Sequence, residues 1–150
     1  MASKKFKISG IFMWARVFED NRDMTGYQGA FEDCGGAYTI DLTLDEGNHQ
    51  ILKDSGTAKK GRFDDDGNFS VKLTRKHVGP FDAASGPPKV TKPDGTKWDF
   101  ESDGPIGNGS KGTVTFEVYK TSKSPGTRLV SVHVEEVAEM EEREEETVGW

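Results

Sequence analysis

The chain has 150 residues, of which 33% are apolar, enough for one small core and too few for several domains. No run approaches the roughly 18 consecutive apolar residues of a bilayer span, which excludes an integral membrane protein built on helices. The opening MASKKFKISG lacks the apolar centre of a secretory signal, and the single Cys34 can form no internal disulfide, so a reducing cytosol is expected. The net charge of −6 is unevenly placed. Between positions 135 and 146 eight glutamates stand against Arg143 alone, a local charge of −7 that leaves the rest of the chain near +1. Like charges with few apolar neighbours resist ordering, so residues 1–137 are expected to fold and 138–150 to form a flexible acidic tail.

In chain order, Phe6, Ile8, Phe12, Trp14 and Phe18 share one strand parity, and Ile11, Met13, Ala15 and Val17 fill the other. Gly10 interrupts this run and predicts a bulge or bend. The charges and glycines of 19–36 predict a long loop. Tyr38, Ile40, Leu42 and Leu44 then alternate with Thr39, Asp41 and Thr43, the pattern of a half-buried strand. Positions 45–54 predict one short helix capped by Asp45, with Ile51 and Leu52 facing the core. Asp64 to Asn68 is a turn, and Phe69, Val71 and Leu73 begin a strand ending in Arg75-Lys76-His77. Positions 79–88 form a loop, and KVTK-PDGT-KWDF reads as a hairpin turning on Pro93-Asp94-Gly95. Positions 113–121 and 128–137 supply the last strands. Short strands separated by turns, with at most one helix, predict a small all-β barrel or sandwich.

Several motifs imitate chemistry that their surroundings do not support. Gly107, Gly109 and Gly112 spell a dinucleotide fingerprint, but the segment after them is strand-like, and the same stretch lacks the Lys-Ser/Thr pair of a phosphate loop. Asn108-Gly109-Ser110 is a glycosylation sequon by spelling and a turn by context. The Asp64–Asn68 run departs from a calcium loop because Phe69 stands where that loop needs glycine. His49, His77 and His133 lack zinc spacing, and Cys34 has no second cysteine. Asp41, Asp99 and Asp103 show no spacing that singles out metal-assisted hydrolysis over turns and strand edges. No cofactor, metal site or catalytic residue is expected.

Aromatic residues interleaved with cations carry the positive signal. Trp14 precedes Arg16; Phe69 precedes Lys72, Arg75 and Lys76; Lys97 abuts Trp98, with Lys89 and Lys92 across the hairpin; Tyr119 abuts Lys120. Bases stack on exposed rings for about 1–3 kcal/mol each, and cations neutralise phosphates. Trp98 and Tyr119, near strand ends beside lysines, are expected to be exposed, whereas Phe6, Phe12 and Phe116 are expected in the core.

Three segments carry a resemblance: Ala2-Ser3-Lys4-Lys5, the strand Gly36-Ala37-Tyr38-Thr39-Ile40-Asp41-Leu42, and Pro105-Ile106-Gly107-Asn108-Gly109-Ser110-Lys111 leading into Val114-Thr115-Phe116. With the glutamate-rich end, the chain resembles bacteriophage single-stranded DNA-binding proteins that have an OB-fold body and an acidic tail. The resemblance implies an OB-fold (Greek-key) five-stranded barrel, sequence-independent binding of single-stranded DNA, and service in phage DNA replication, recombination and repair in the host cytoplasm. It also implies contacts between the tail (Glu141, Glu142, Glu144, Glu145, Glu146 and Trp150, the last where the family usually has phenylalanine) and replication proteins such as a polymerase or a helicase/primase. Tyr119 takes a DNA-contacting role, Lys111 matches a basic motif position, and a homo-oligomer stays open. The expected DNA-binding set is Trp14, Arg16, Lys72, Arg75, Lys76, Lys89, Lys97, Trp98, Lys111, Tyr119 and Lys120. A β-rich virion or interaction protein and a metal-dependent nucleic-acid enzyme are the rival readings.

Overall fold

The alternating apolar residues of the first segment form one long strand, β1 (Ser3–Arg16), which organises everything else in the computed structural model. The structure describes residues 3–59, 61–79, 82–120 and 125–138. The first half of β1 pairs antiparallel with β6 (Lys111–Tyr119), from Ser3 opposite Tyr119 to Ile11 opposite Lys111. Its second half pairs with β2 (Ala37–Leu44), starting at Ile11 opposite Thr43. One strand therefore serves two partners, and the handover lies at Gly10. A Cβ there would sit 2.4 Å from the Thr43 carbonyl oxygen, so only glycine lets the neighbouring strand come this close. The expected irregularity at Gly10 is this close approach; the bulge lies further on, between Met13 and Arg16.

The remaining elements are β3 (Arg62–Phe63), β4 (Phe69–Lys76), β5 (Lys89–Thr91) and β7 (Gly126–Glu136), with helices α1 (Glu46–Asp54) and α2 (Phe100–Asp103). The sheet order is β3-β4-β2-β1-β6-β7-β5. Five long strands thus run β4-β2-β1-β6-β7, and β4 and β7 come together to close an OB-type barrel. Arg75 fastens that seam. Its guanidinium donates to the carbonyls of Leu129 on β7 (3.2 Å), Ser85 (3.0 Å) and Gly86 (2.8 Å). Asp45 caps α1 as expected, accepting from the Asn48 N–H at 2.8 Å, and Leu52 is buried. Ile51, expected beside it in the core, stays 40% exposed.

Inward residues from every long strand fill the barrel: Ile8 and Phe12, Ile40 and Leu42, Val71 and Leu73, Val114 and Phe116, Val132 and Val134. Phe12 and Phe116 are fully buried and Phe6 packs partly buried against them, as expected; each complete burial of such a side chain contributes about 1.5–3 kcal/mol. The expected hairpin at 89–100 survives in reduced form. Its turn closes through Gly95 N–H to Lys92 O (2.8 Å) and Lys92 N–H to Thr96 O (2.7 Å), but the returning arm makes only the bridge of Thr91 with Lys97 before entering α2. β5 pairs instead in parallel with β7. Among the described residues, no helix is long and apolar enough to cross a membrane.

Candidate nucleic-acid interface

Simple alternation along β1 places Trp14 with Phe12 on the core side. The bulge reverses this. Trp14 adopts φ 52°, an unusual left-handed conformation for a bulky residue, so Ala15 takes the inward place and the indole is turned out at 65% exposure. The displaced backbone is held by a loop: Trp14 N–H donates to Asn108 Oδ1 (2.7 Å), Phe12 N–H to Ser110 O (2.6 Å), and Gly109 N–H to Phe12 O (2.8 Å). The glycine-rich segment that imitates a nucleotide motif is thus a brace for this strand. It runs on into β6 and starts no helix.

Trp14 lies between Met13 and Arg16, whose strand partners lead across β2 and β4. Register places Met13, Asp41 and Lys72 side by side in one row, and Arg16, Thr39 and Thr74 in the next. Arg62 lies across from Ser70 on the same side. The charges act on one another. Burial, and then the nearby Lys72 ammonium, push the Lys59 ammonium below its ordinary value. Asp23 is held below the usual carboxylate range, first by the Gly26 N–H (2.9 Å) and also by the Thr25 N–H, with Arg16 and Lys72 assisting against the cost of burial. Burial raises Asp41, and Lys72 and Arg62 oppose that rise. Lys72 is the common neighbour: it acts on Lys59, Asp23 and Asp41, with Arg16 also reaching Asp23 and Arg62 also reaching Asp41.

The outer column of β4 continues from Lys72 through Thr74 to Lys76, where a cleft of about 320 Å³ opens at the barrel seam. Lys76, Val78, Tyr119, Thr127 and Arg128 line it. Tyr119 is half-buried, and the Arg128 guanidinium lies 4.2 Å from its ring centroid while pairing with Glu117. A Cβ at Gly126 would come 2.3 Å from the same ring. Tyr119 is therefore framed by Arg128 and Gly126, and less exposed than its strand-end position suggests.

Two expected contacts are corrected. Trp98 is 5% exposed: its indole Nε1–H donates to Gly104 O (2.7 Å), and its ring packs near Phe18 at 6.2 Å between centroids. Neighbouring lysines drew it toward the surface in the sequence, but the loops on either side bury it. Arg75 is 9% exposed and occupied by the seam carbonyls, so it belongs to the barrel's closure. Lys89 and Lys97 are exposed around β5, at the sheet edge opposite β3. Lys111 is exposed opposite Ile11 on β6, and Lys120 is exposed just past Tyr119. Glu141, Glu142, Glu144, Glu145, Glu146 and Trp150 lie outside the described residues.

Lys59, Arg62 and Phe63 are missing from the sequence expectation, although Lys59-Lys60-Gly61-Arg62-Phe63 carries the same cation–aromatic interleaving. Phe63 is 65% exposed, edge-on to Phe69 and His49. The other candidate chemistries find structural uses. Asp64 Oδ1 accepts from the N–H groups of Asp66 and Asn68, both at 2.9 Å, and so closes its own turn. Cys34 is buried and donates to Gly36 O (3.2 Å); His77 Nδ1 meets the Tyr38 hydroxyl and His133 Nδ1 the Thr91 hydroxyl, each at 2.7 Å. Among the described residues no group of three carboxylate, histidine or cysteine side chains gathers as metal ligands.

No protein-family model and no curated protein matches the sequence. Solved structures do match the fold. One is gp2.5, a single-stranded DNA-binding protein encoded by bacteriophage T7, with TM-score 0.60 and 22% identity over 93% of this chain and 95% of that one. Another is the C-terminally truncated single-stranded DNA-binding protein from bacteriophage Enc34, with TM-score 0.62 and 14% identity over 90% and 87%. The Enc34 protein in complex with single-stranded DNA matches at TM-score 0.60 and 13% identity over 90% and 88%. The barrel is thus the fold of the proteins that the sequence motifs resemble.

Proposed function

We propose that the chain binds single-stranded DNA with little regard to sequence, along the outer face that runs from Trp14 across β2 and β4 to Arg62, with a branch along β4 toward Tyr119. The observation that carries this reading is a largely exposed indole on β1 two residues from Arg16, with Lys72 and Arg62 following across the paired strands and Lys59 near enough to Lys72 to be lowered by it. Three inter-strand steps separate Trp14 from Arg62, roughly 14 Å at about 4.8 Å per step, and the branch along β4 lengthens the path. Phosphates pair with Arg16, Lys59, Arg62, Lys72 and Lys76, and bases stack on Trp14 and Tyr119. The work done is equilibrium binding, with no chemical step. Agreement of fold with phage single-stranded DNA-binding proteins supports the binding reading, and a place in phage DNA replication, recombination and repair is our extension of it.

The acidic tail fits the same scheme. β7 ends at Glu136, and the Ala138 N–H donates to Ser110 Oγ (2.9 Å) in the loop that braces Trp14. Six glutamates and Arg143 follow, so a tethered anion starts beside the stacking platform. Its high effective concentration makes it a competitor for the groove that DNA displaces, freeing it for a replication partner such as a polymerase or helicase.

Anisotropy titration of a labelled 20-mer, single-stranded against duplex, from low to moderate salt tests the main claim. Preferential binding of the single strand, weakening steeply with salt, is the expected result. No binding at low salt, or equal binding to duplex, overturns it.

A further inference from the structure

The cationic face has a carboxylate in its middle. Asp41 stands between Met13 and Lys72 in the sheet and, with Gly61, Arg62, Ser70 and Lys72, lines a surface cleft of about 480 Å³. The side chain is half-buried, and its Oδ1 is shut away from solvent with no hydrogen-bond partner. Among the described residues no cation comes within ion-pair distance of it, although Lys72 and Arg62 lie near enough to favour its charge. Its neighbours of the same parity on β2 are Thr39, which is buried, and Thr43, neither of them charged. An under-partnered carboxylate on a phosphate-binding face is costly to keep and repels the DNA backbone locally.

What such a group attracts is an N–H donor. Among the parts of single-stranded DNA, only base edges supply one. Cytosine carries the N4 amine, adenine the N6 amine and guanine the N2 amine. Thymine offers only N3–H, flanked by two carbonyl oxygens that repel the approaching carboxylate.

We propose that Asp41 is a base-edge contact: its cleft receives a nucleobase bearing an exocyclic amine, so that at one position of an otherwise sequence-tolerant site the protein discriminates against thymine. The amine donates to Oδ2, the carboxylate oxygen that is not shut away, while Lys72 and Arg62 hold the flanking phosphates and keep the strand in register. This inference rests on the single-stranded DNA-binding reading and adds a specificity element to it.

The test uses the full chain with oligo(dC) and oligo(dT) of equal length, titrated under identical salt. The wild type is expected to bind oligo(dC) roughly five- to tenfold more tightly, as one charged contact to a base amine implies. Asp41→Asn removes the charge and adds an amide donor that thymine's carbonyls accept. It is expected to tighten binding to oligo(dT) and bring the ratio to one or below. Equal wild-type affinities, or a dC preference that survives in Asp41→Asn, overturns the inference while leaving DNA binding intact. Absence of binding to both oligomers overturns the binding reading and this inference together. Melting curves establish that the variant is folded, and Asp41→Ser, which also deletes the carboxylate, decides the matter if Asp41→Asn is not.

Discussion

Trp14 gives the sharpest test because its two roles predict opposite signs. At φ 52° a non-glycine residue sits in a region that costs roughly 1–2 kcal/mol, and the ring is 65% exposed, so little packing offsets that cost. Trp14→Gly removes the strain. It also raises the entropy lost on folding by roughly 0.5–1 kcal/mol, leaving a variant between neutral and about 1.5 kcal/mol more stable. For a chain of this length, that corresponds to a rise in Tm of up to about 6 °C. Binding should move the other way: losing one stacking platform costs about 1–3 kcal/mol, or roughly 5- to 150-fold in Kd at about 1.4 kcal/mol per tenfold. Trp14→Ala, which keeps the strained backbone, should bind as poorly without the stability gain. Melting followed by circular dichroism, beside anisotropy titration of a labelled 20-mer, reads both quantities. If Trp14→Gly melts well below the wild type, the indole is a structural prop; if it binds as tightly, the stacking role is wrong.

Lys72→Gln should lower the slope of log K against log salt by about 0.7, the share of one phosphate contact on single strands, and an unchanged slope would remove Lys72 from the path. Arg75→Met leaves the carbonyls of Leu129, Ser85 and Gly86 without their donor and should cost about 3–5 kcal/mol in urea unfolding. A loss below about 1 kcal/mol would show that the seam closes without it. Burial holds the folded Asp41 carboxyl above its ordinary 3.8, so the native state binds this proton more readily than the unfolded chain, and the charged form weakens folding at neutral pH. Asp41→Asn should therefore melt higher than the wild type at pH 7, the gap closing as pH falls through the raised folded value toward 3.8; a gap that widens on acidification contradicts this sign. Truncation after Ala138 keeps the bond to Ser110 and removes the glutamates beyond it, and should tighten DNA binding at low salt with a difference that fades as salt rises. Equal affinities with and without residues 139–150 would end the tail's role as competitor.

β2 is readable in the sequence because Tyr38, Ile40, Leu42 and Leu44 are all buried on one parity and nothing interrupts the count, although Ala37 and Thr39 on the other parity are covered as well. The same counting fails at Trp14. A bulge adds one residue to one strand, and only the partner register, Met13 against Asp41 and Arg16 against Thr39, reveals where the parity changes. β3 has two residues, too few for any period, so Arg62 and Phe63 gave no strand signal despite their composition. Trp98 and Arg75 misled for a related reason. Their neighbours in sequence are polar, but the groups that bury them, Phe18 with the Gly104 carbonyl and the Leu129 carbonyl of β7, arrive from other parts of the chain. Local composition reports who stands beside a residue, and these two are decided by what folds over them.

The loop 105–111 joins these observations. Its spelling carries the strongest likeness to phage single-stranded DNA-binding proteins, and its glycines tempt a phosphate-binding reading, yet its polar groups are spent inside the molecule. Asn108 Oδ1 accepts the Trp14 N–H that the bulge takes out of the ladder, Ser110 O accepts from Phe12, and Gly109, at φ 97°, makes the turn that brings both to β1. Ser110 is fully buried, and its hydroxyl accepts the Ala138 N–H where the acidic segment departs. A single short loop therefore braces the strand that turns the indole outward and holds the backbone where β7 gives way to the acidic segment. These two roles explain the motif's residue types. A carboxamide takes the orphaned N–H, a glycine makes the left-handed turn, and a small buried hydroxyl accepts the Ala138 N–H. Only Lys111, exposed at the end of the loop opposite Ile11, remains open to nucleic acid.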